Sequence, residues 1–271
     1  MSVHTQTSKV TTATIRKMKA EGEKIAMLTS YDYTLTRLVD DAGIDMFLVG
    51  DSASNIVCGN QYTLPITTEE MIFLAKGVVR GAQHALVVVD MPFGSYQISE
   101  EEAVRNAVKI IKESGADAVK IEGGEEVLPA IRHIIQAGVP VCGHLGLTPQ
   151  SVNQFGGYGL RAKQEEEANK LLHDAELLDE AGCFAIVLEK IPAALAERVT
   201  SSVNAAVIGI GAGEKTDGQV LVLHDMLGLN NGFKPKFLRR FAELAGNIDS
   251  AVKDYISAVK EGTFPNADEQ Y

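Results

Sequence analysis

Acidic and basic side chains stand at the carboxyl ends of runs that are otherwise apolar. Phe47-Leu48-Val49-Gly50 is followed by Asp51 and Ser52, and Val87-Val88-Val89 by Asp90. Ala118-Val119-Lys120-Ile121-Glu122 carries two charges, Val141-Cys142-Gly143 leads to His144, and Ile186-Val187-Leu188 leads to Glu189. Lys120 and Glu122 are two apart, so on a strand both point to one side. If that side is an interior, both charges must be paired or metal-bound, because isolated burial is too costly. Asp51, Asp90 and Glu122 form a carboxylate cluster if their runs are neighbouring strands. Without a cation, carboxylates so crowded repel and raise one another's pKa. An all-oxygen donor set suits Mg2+, which keeps positions open for water or substrate.

Each of these residues has a plainer reading when taken alone. Asp51 is then a helix cap, Glu122 a turn residue before Gly123-Gly124, and Glu189 a surface turn residue beside Lys190. His144 is then a core histidine that satisfies a backbone carbonyl. The set taken together favours a site. Glu189 becomes the candidate general base, and His144 a donor to substrate or a proton shuttle. His4, His84, His133, His173 and His224 lack comparable surroundings and read as structural.

The elements that must position these residues alternate along the chain. Expected strands are Ile25–Thr29, Asp45–Gly50, Ala85–Asp90, Ala118–Glu122, Val139–His144, Phe184–Glu189, Ala206–Ile210 and Val220–Leu223. They are rich in Val and Ile with little polar alternation, as parallel strands covered on both faces are. Thr67-Thr68-Glu69-Glu70 and Ser99-Glu100-Glu101-Glu102 read as capping-box helix starts, and Thr148-Pro149 as an N-cap followed by Pro. Ala168, Leu171, Leu172, Ala175 and Leu178 recur at helical spacing behind Glu165-Glu166-Glu167, which reads as a solvated helix start. Such β–α units in series favour a closed (β/α)8 TIM barrel over an open sheet. In that fold the carboxyl ends of the strands converge on one mouth, where active sites lie. Gly209-Ile210-Gly211-Ala212-Gly213 is expected to make a tight turn rather than an anion site, and Leu145–Arg161 a mobile loop near the mouth. Lys236–Ala245 and Ile248–Lys260 carry helical periodicity. Residues 1–11 and 262–271 read as loose polar ends of one domain spanning 1–271.

Composition limits the partners. The 271 residues carry a formal net charge of −11, which disfavours nucleic acid and anionic membrane. Cys58, Cys142 and Cys183 form no C-x-x-C pair, so neither a zinc site nor structural disulfides are expected. No secretory h-region or membrane-length apolar run is visible, and a cytoplasmic location is expected.

Longer motifs carry a resemblance. Thr29-Ser30-Tyr31-Asp32, Val49-Gly50-Asp51-Ser52, Thr63-Leu64-Pro65 and Pro92-Phe93-Gly94-Ser95-Tyr96-Gln97 are followed by Val119-Lys120-Ile121-Glu122-Gly123-Gly124. Gly143-His144-Leu145-Gly146-Leu147-Thr148-Pro149-Gln150 and Asp217-Gly218-Gln219-Val220-Leu221-Val222 complete the series. In this order they resemble the ketopantoate (3-methyl-2-oxobutanoate) hydroxymethyltransferase family. The resemblance implies a barrel of the phosphoenolpyruvate/pyruvate-type superfamily, with Mg2+ or another divalent metal and 5,10-methylenetetrahydrofolate as co-substrate. It implies transfer of a hydroxymethyl unit to 3-methyl-2-oxobutanoate through a Mg2+-stabilised enolate, giving 2-dehydropantoate for pantothenate synthesis. It places Asp51, Asp90 and Glu122 around the metal, Glu122 directly or through water. Asp51, Ser52, Asp90, Lys120 and His144 would bind substrate, Ser52 at the carboxylate and Lys120 at the 2-oxo group. Glu189 would take the C3 proton. A homo-oligomer, usually a decamer of two rings, is also implied. The sequence departs from the family pattern at Ala53-Ser54-Asn55, Gly159-Leu160 and Glu214. Phosphoenolpyruvate mutases and isocitrate lyases are the nearest alternative, but the Lys-Lys-Cys-Gly segment of the lyases is missing here.

Overall fold

The computed structural model of the protein describes residues 9–230, 232 and 234–271. Of the arm expected to be loose, residues 1–8 lie outside the described residues, as does His4. Residues 9–11 are tied down: Val10 N–H donates to the His84 carbonyl at 2.7 Å and Lys9 pairs with Asp117 at 2.7 Å. The chain divides into two compact units, Met1–Leu221 and Val222–Tyr271.

The first unit is the expected barrel. Its strands are β1 Ile25–Thr29, β2 Met46–Val49, β3 Leu86–Asp90, β4 Ala118–Glu122, β5 Val141–Gly146, β6 Ala185–Glu189, β7 Ala206–Ile210 and β8 Gly218–Leu221. They pair in sequence order, all parallel, and β8 closes on β1. Helix α1 Thr12–Glu21 precedes β1. Connections carry α2 Tyr33–Asp41, α3 Ala53–Ile56, α4 Thr68–Gly81, α5 Glu100–Ser114, α6 Leu128–Gln136, α7 Val152–Phe155, α8 Glu165–Ala181 and α9 Ala193–Ser202. Thr67 and Glu70 make the reciprocal capping box of α4, while Ser99 caps α5 on Glu102 alone. Thr148-Pro149 opens only a 3-10 turn, Pro149–Ser151, with no side-chain bond from Thr148.

Strand parity decides which side chains enter the barrel. One buried cluster holds Met27, Met46, Leu48, Leu86, Val88, Ala118, Cys142, Ala185, Val187, Ala206 and Ile208, the residues that fill the interior. Continuing each strand in steps of two puts Asp90, Lys120, Glu122, His144 and Glu189 in the same file, nearer the carboxyl end. Alternate residues such as Val87, Val119, Ile121 and Ile186 belong to the second cluster, between sheet and helices.

Four features differ from expectation. Helix α1 was not foreseen; Thr11 caps it, and its Ile15 and Met18 join the interior cluster beside Ile25 and Phe184. They close the barrel at the amino ends of the strands. Strand β8 begins two residues earlier than expected, at Gly218. A Cβ there would come within 2.4 Å of the Ile25 carbonyl oxygen, so the close β8–β1 pairing needs the glycine. In the second unit, α10 Leu223–Met226 and α11 Leu244–Glu261 are helical, but most of Lys236–Ala245 is not. There the N–H groups of Phe241 and Leu244 donate to the carbonyls of Met226 and Leu227. The segment 262–271 is not loose either: Phe264 sets its ring edge-on to Tyr255 at 5.7 Å, and a 3-10 turn spans Ala267–Glu269. Among the described residues, no helix is long and apolar enough to cross a membrane.

Candidate active site

The expected site residues arrive from consecutive strands. Gly50 lets the chain turn sharply after β2, since a Cβ there would lie 2.7 Å from Ser52 Oγ. The turn points the Asp51 N–H at Asp90, whose Oδ2 accepts at 2.9 Å. The Lys120 ammonium lies 3.0 Å from the other oxygen, Asp90 Oδ1, and 3.8 Å from Glu122 Oε1. It also lies 3.0 Å from His144 Nδ1, a nitrogen that stands 3.3 Å from Glu122 Oε1. The far nitrogen, Nε2, is 3.5 Å from Glu189 Oε2. Asp51, Asp90, Lys120, Glu122 and His144 are all buried, while the Glu189 side chain is partly open. The structure thus links Asp51, Asp90, Lys120, Glu122, His144 and Glu189 in one chain of contacts. Ser52 joins from the side through the Tyr31 hydroxyl, 2.8 Å from its Oγ.

Burial and mutual charge set the protonation of this group. Burial, then the charges of Glu122 and Asp90, raises Asp51 well above the usual carboxylate range. Burial raises Asp90 as well, against the pull of Lys120. Burial works against the Lys120 charge, but Asp90, Glu122 and Asp51 overcome it and hold the ammonium firmly protonated. Burial would raise Glu122 too, yet its bond and charge pairing with His144, and then Lys120, keep it low. For His144, burial and Lys120 oppose the imidazolium, while hydrogen bonds to Glu122 and Glu189 prevail and raise its pKa. Burial pushes the Cys142 thiol up to about 12, so it adds no charge to the interior.

Glu189 is held by its backbone. Its carbonyl accepts from the Leu147 N–H at 2.8 Å, in a space that a Cβ on Gly146 would invade. The next residue, Lys190, has φ +45°, a left-handed conformation uncommon for a non-glycine residue. Its N–H donates to the Ile210 carbonyl, its carbonyl accepts from the Arg161 N–H, and its ammonium bonds the Tyr158 carbonyl. Strain of this kind persists where neighbours over-determine it, and here those neighbours also fix Glu189 beside it.

Three residues outside the expected set belong to the site. Tyr31 bonds Ser52, as above. Gln150 donates through Nε2 to Asp51 Oδ2 at 2.9 Å, and its backbone N–H donates to Glu122 Oε2 at 2.9 Å. The Tyr96 hydroxyl donates to Gln150 Oε1 at 2.7 Å. In the sequence all three lie within the motifs that carry the family resemblance, in turns that follow strands. The basic residues near the amino end do not join the site. Arg16 bonds the Gly182 carbonyl and Lys19 the Thr200 and Ala205 carbonyls, all at the end of the barrel where the strands begin. Arg161 stacks on Phe155 and pairs with Glu167. Gly209–Gly213 makes a tight turn, with Gly211 at φ +63° and Gly213 at φ +86°.

Among the described residues, no three His, Cys, Asp or Glu side chains already form a ligand array. Both oxygens of Glu122 are already engaged, Oε1 by His144 and Lys120 and Oε2 by the Gln150 N–H. Asp90 Oδ1 is different: it is buried, and its contact is the Lys120 ammonium at 3.0 Å. With all three buried carboxylates ionised, the group would carry more negative charge than Lys120 balances, which is what raises Asp51 and Asp90. That surplus and the all-oxygen donors fit a hard divalent cation, which Asp51 and Asp90 would hold.

A closed parallel barrel with acidic residues at its mouth defines the class. Solved structures of the same fold include a phosphonopyruvate hydrolase, with TM-score 0.63 at 11% identity over 96% of this chain and 90% of that one. Another is 2,3-dimethylmalate lyase, a member of the phosphoenolpyruvate mutase/isocitrate lyase superfamily, with TM-score 0.59 at 16% identity over 96% and 90%. Closer relations come from sequence. The profile of the ketopantoate hydroxymethyltransferases matches residues 9–267. The 3-methyl-2-oxobutanoate hydroxymethyltransferase of Phocaeicola vulgatus is 61% identical over 98% of this chain and 97% of its own length. That of Flavobacterium johnsoniae is 57% identical over 97% of each. The chain belongs to the ketopantoate hydroxymethyltransferase family, and it is an enzyme.

Proposed function

We propose that the enzyme transfers a hydroxymethyl unit from 5,10-methylenetetrahydrofolate to 3-methyl-2-oxobutanoate, giving 2-dehydropantoate for pantothenate and coenzyme A synthesis. The observation that carries this is the pairing, at one barrel mouth, of a buried Lys120–carboxylate cluster with the partly open Glu189, joined to it through the buried His144. The cluster suits the polar end of a 2-oxo acid, and Glu189 with His144 suits its C–H end. Asp51 and Asp90 would hold Mg2+ or a similar divalent ion, with Glu122 behind water; bound there, the ion supplies Lewis acidity to a carbonyl. A phosphonopyruvate hydrolase of the same fold, solved with oxalate and Mg2+, supports this reading.

The chain's own residues divide the remaining work. Ser52, aimed by Tyr31, hydrogen-bonds the substrate carboxylate. Lys120 places positive charge where the keto oxygen gains negative charge. Glu189 accepts the C3 proton. His144, one nitrogen toward Glu189 and the other toward Glu122, holds a proton near the incoming carbon. The nucleophilic C3 then forms its bond to the folate methylene carbon, both C–N bonds of that carbon to the folate break, a water supplies the hydroxyl oxygen, and tetrahydrofolate leaves with the proton.

The same reading takes the enzyme as cytoplasmic and homo-oligomeric, a decamer by resemblance to the family. Support for self-association comes from α11, where Ile248, Val252, Tyr255 and Val259 recur on one face and stay exposed.

The first step can be tested without folate. In D2O with Mg2+, the enzyme should exchange the C3 proton of 3-methyl-2-oxobutanoate, and addition of methylenetetrahydrofolate should yield product. Glu189→Gln should slow both by about 10²–10⁴-fold, the range for losing a general base. Exchange at the wild-type rate in that variant would remove Glu189 from the mechanism.

A further inference from the structure

We propose that Gln150 is a positioning residue that fixes the aim of Asp51 and Glu122 before any cation binds; this rests on the metal-dependent reading above. Gln150 is 5% exposed and lies in the 3-10 turn that follows β5. Its Nε2 donates to Asp51 Oδ2 at 2.9 Å and to the Met91 carbonyl at 3.0 Å. Its Oε1 accepts from the Tyr96 hydroxyl at 2.7 Å and from Gln97 Nε2 at 3.2 Å. Its main-chain N–H donates to Glu122 Oε2 at 2.9 Å.

These partners dictate the side-chain type. The Asp51 carboxylate and the Met91 carbonyl only accept, so the amide nitrogen must face them. The amide oxygen then meets Tyr96 and Gln97, which have N–H or O–H to give. Glutamate would replace both donors with a further negative charge beside Asp51. Leucine or methionine would fill the volume and leave Asp51 unheld.

A turn residue that merely closes its loop has no need to reach two acidic side chains on two strands. Gln150 does so with separate groups, side chain to Asp51 and main chain to Glu122, and its bond to Met91 adds the end of β3. With Oδ2 held by the amide, Asp51 keeps its other oxygen, Oδ1, for an ion. Partners that orient metal-binding carboxylates in this way typically change metal affinity by about 10–100-fold when removed.

The test is calorimetric titration of the full-length enzyme with Mn2+, wild type against Gln150→Leu. Thermal midpoints and the Mn2+ dependence of turnover are measured on the same samples. The leucine variant keeps the main-chain N–H and loses the amide. Its Mn2+ dissociation constant should rise by about 10–100-fold. The half-activating Mn2+ concentration should move with it, and turnover should recover in part at saturating Mn2+. A purely structural brace would lower the thermal midpoint and leave the Mn2+ constant in place. Should Gln150→Leu not fold, Tyr96→Phe removes one donor to the amide with little change of volume and should weaken Mn2+ binding by about 2–10-fold. Wild-type affinity for Mn2+ in the folded variant overturns the role of Gln150 and leaves the metal reading standing. A wild-type enzyme that binds no Mn2+ overturns both.

Discussion

Burial makes Lys120 and its acidic neighbours one electrostatic unit, so none of them can be understood by its own chemistry alone. The ammonium balances one negative charge, and the surplus falls on Asp51 and Asp90. Their raised pKa values have a consequence for stability. A group whose folded-state pKa lies above its unfolded value stabilises the fold at pH below the unfolded value. That stabilisation disappears as pH rises through the folded value. In the absence of a cation, Asp51 and Asp90 should therefore weaken the fold on the way from acid to neutral pH. A divalent ion bound there would displace the protons and reverse that loss. The rise in thermal midpoint caused by Mg2+ should grow as pH increases through the folded Asp51 range, then level off. A Mg2+ effect that shrinks over this interval would contradict the assignment.

Among the elements, α1 does work that its composition hides. It is Thr- and Lys-rich, and only Ile15 and Met18 turn inward, yet Ile15 is fully buried at the closed end of the barrel. Ile15→Ala should cost about 2–5 kcal/mol, the range for truncating a buried aliphatic residue, read as a lower denaturation midpoint in urea. A cost below about 1 kcal/mol would mean that the interior seals without α1. Strands were legible from sequence because Val and Ile runs covered on both faces leave no competing pattern. The start of β8 was not, because Gly218 has poor strand propensity and its value lies in closeness to β1. The site was legible for the same reason as the strands: a charge that ends an apolar run stands out. Gln150 and Tyr96 lie in the motifs that carry the resemblance, but as neutral residues in turns they give no sign of their partners, which are distant in sequence.

For the whole molecule, charge and surface pull in different directions. A net charge of −11 keeps chains apart at low salt. The exposed apolar face of α11, with Val252 half exposed at its centre, favours contact with another chain. If that face mediates self-association, Val252→Glu should shift the enzyme to smaller species in light scattering and analytical ultracentrifugation. An unchanged mass would place the interface elsewhere.

All of the proposed chemistry depends on a cation joining the acidic cluster to the keto acid. Calorimetric titration of 3-methyl-2-oxobutanoate into the enzyme, with saturating Mg2+ and again with excess chelator, probes that dependence directly. Binding should be strong with Mg2+ and lost with chelator. Equal affinity in the two titrations would contradict the account.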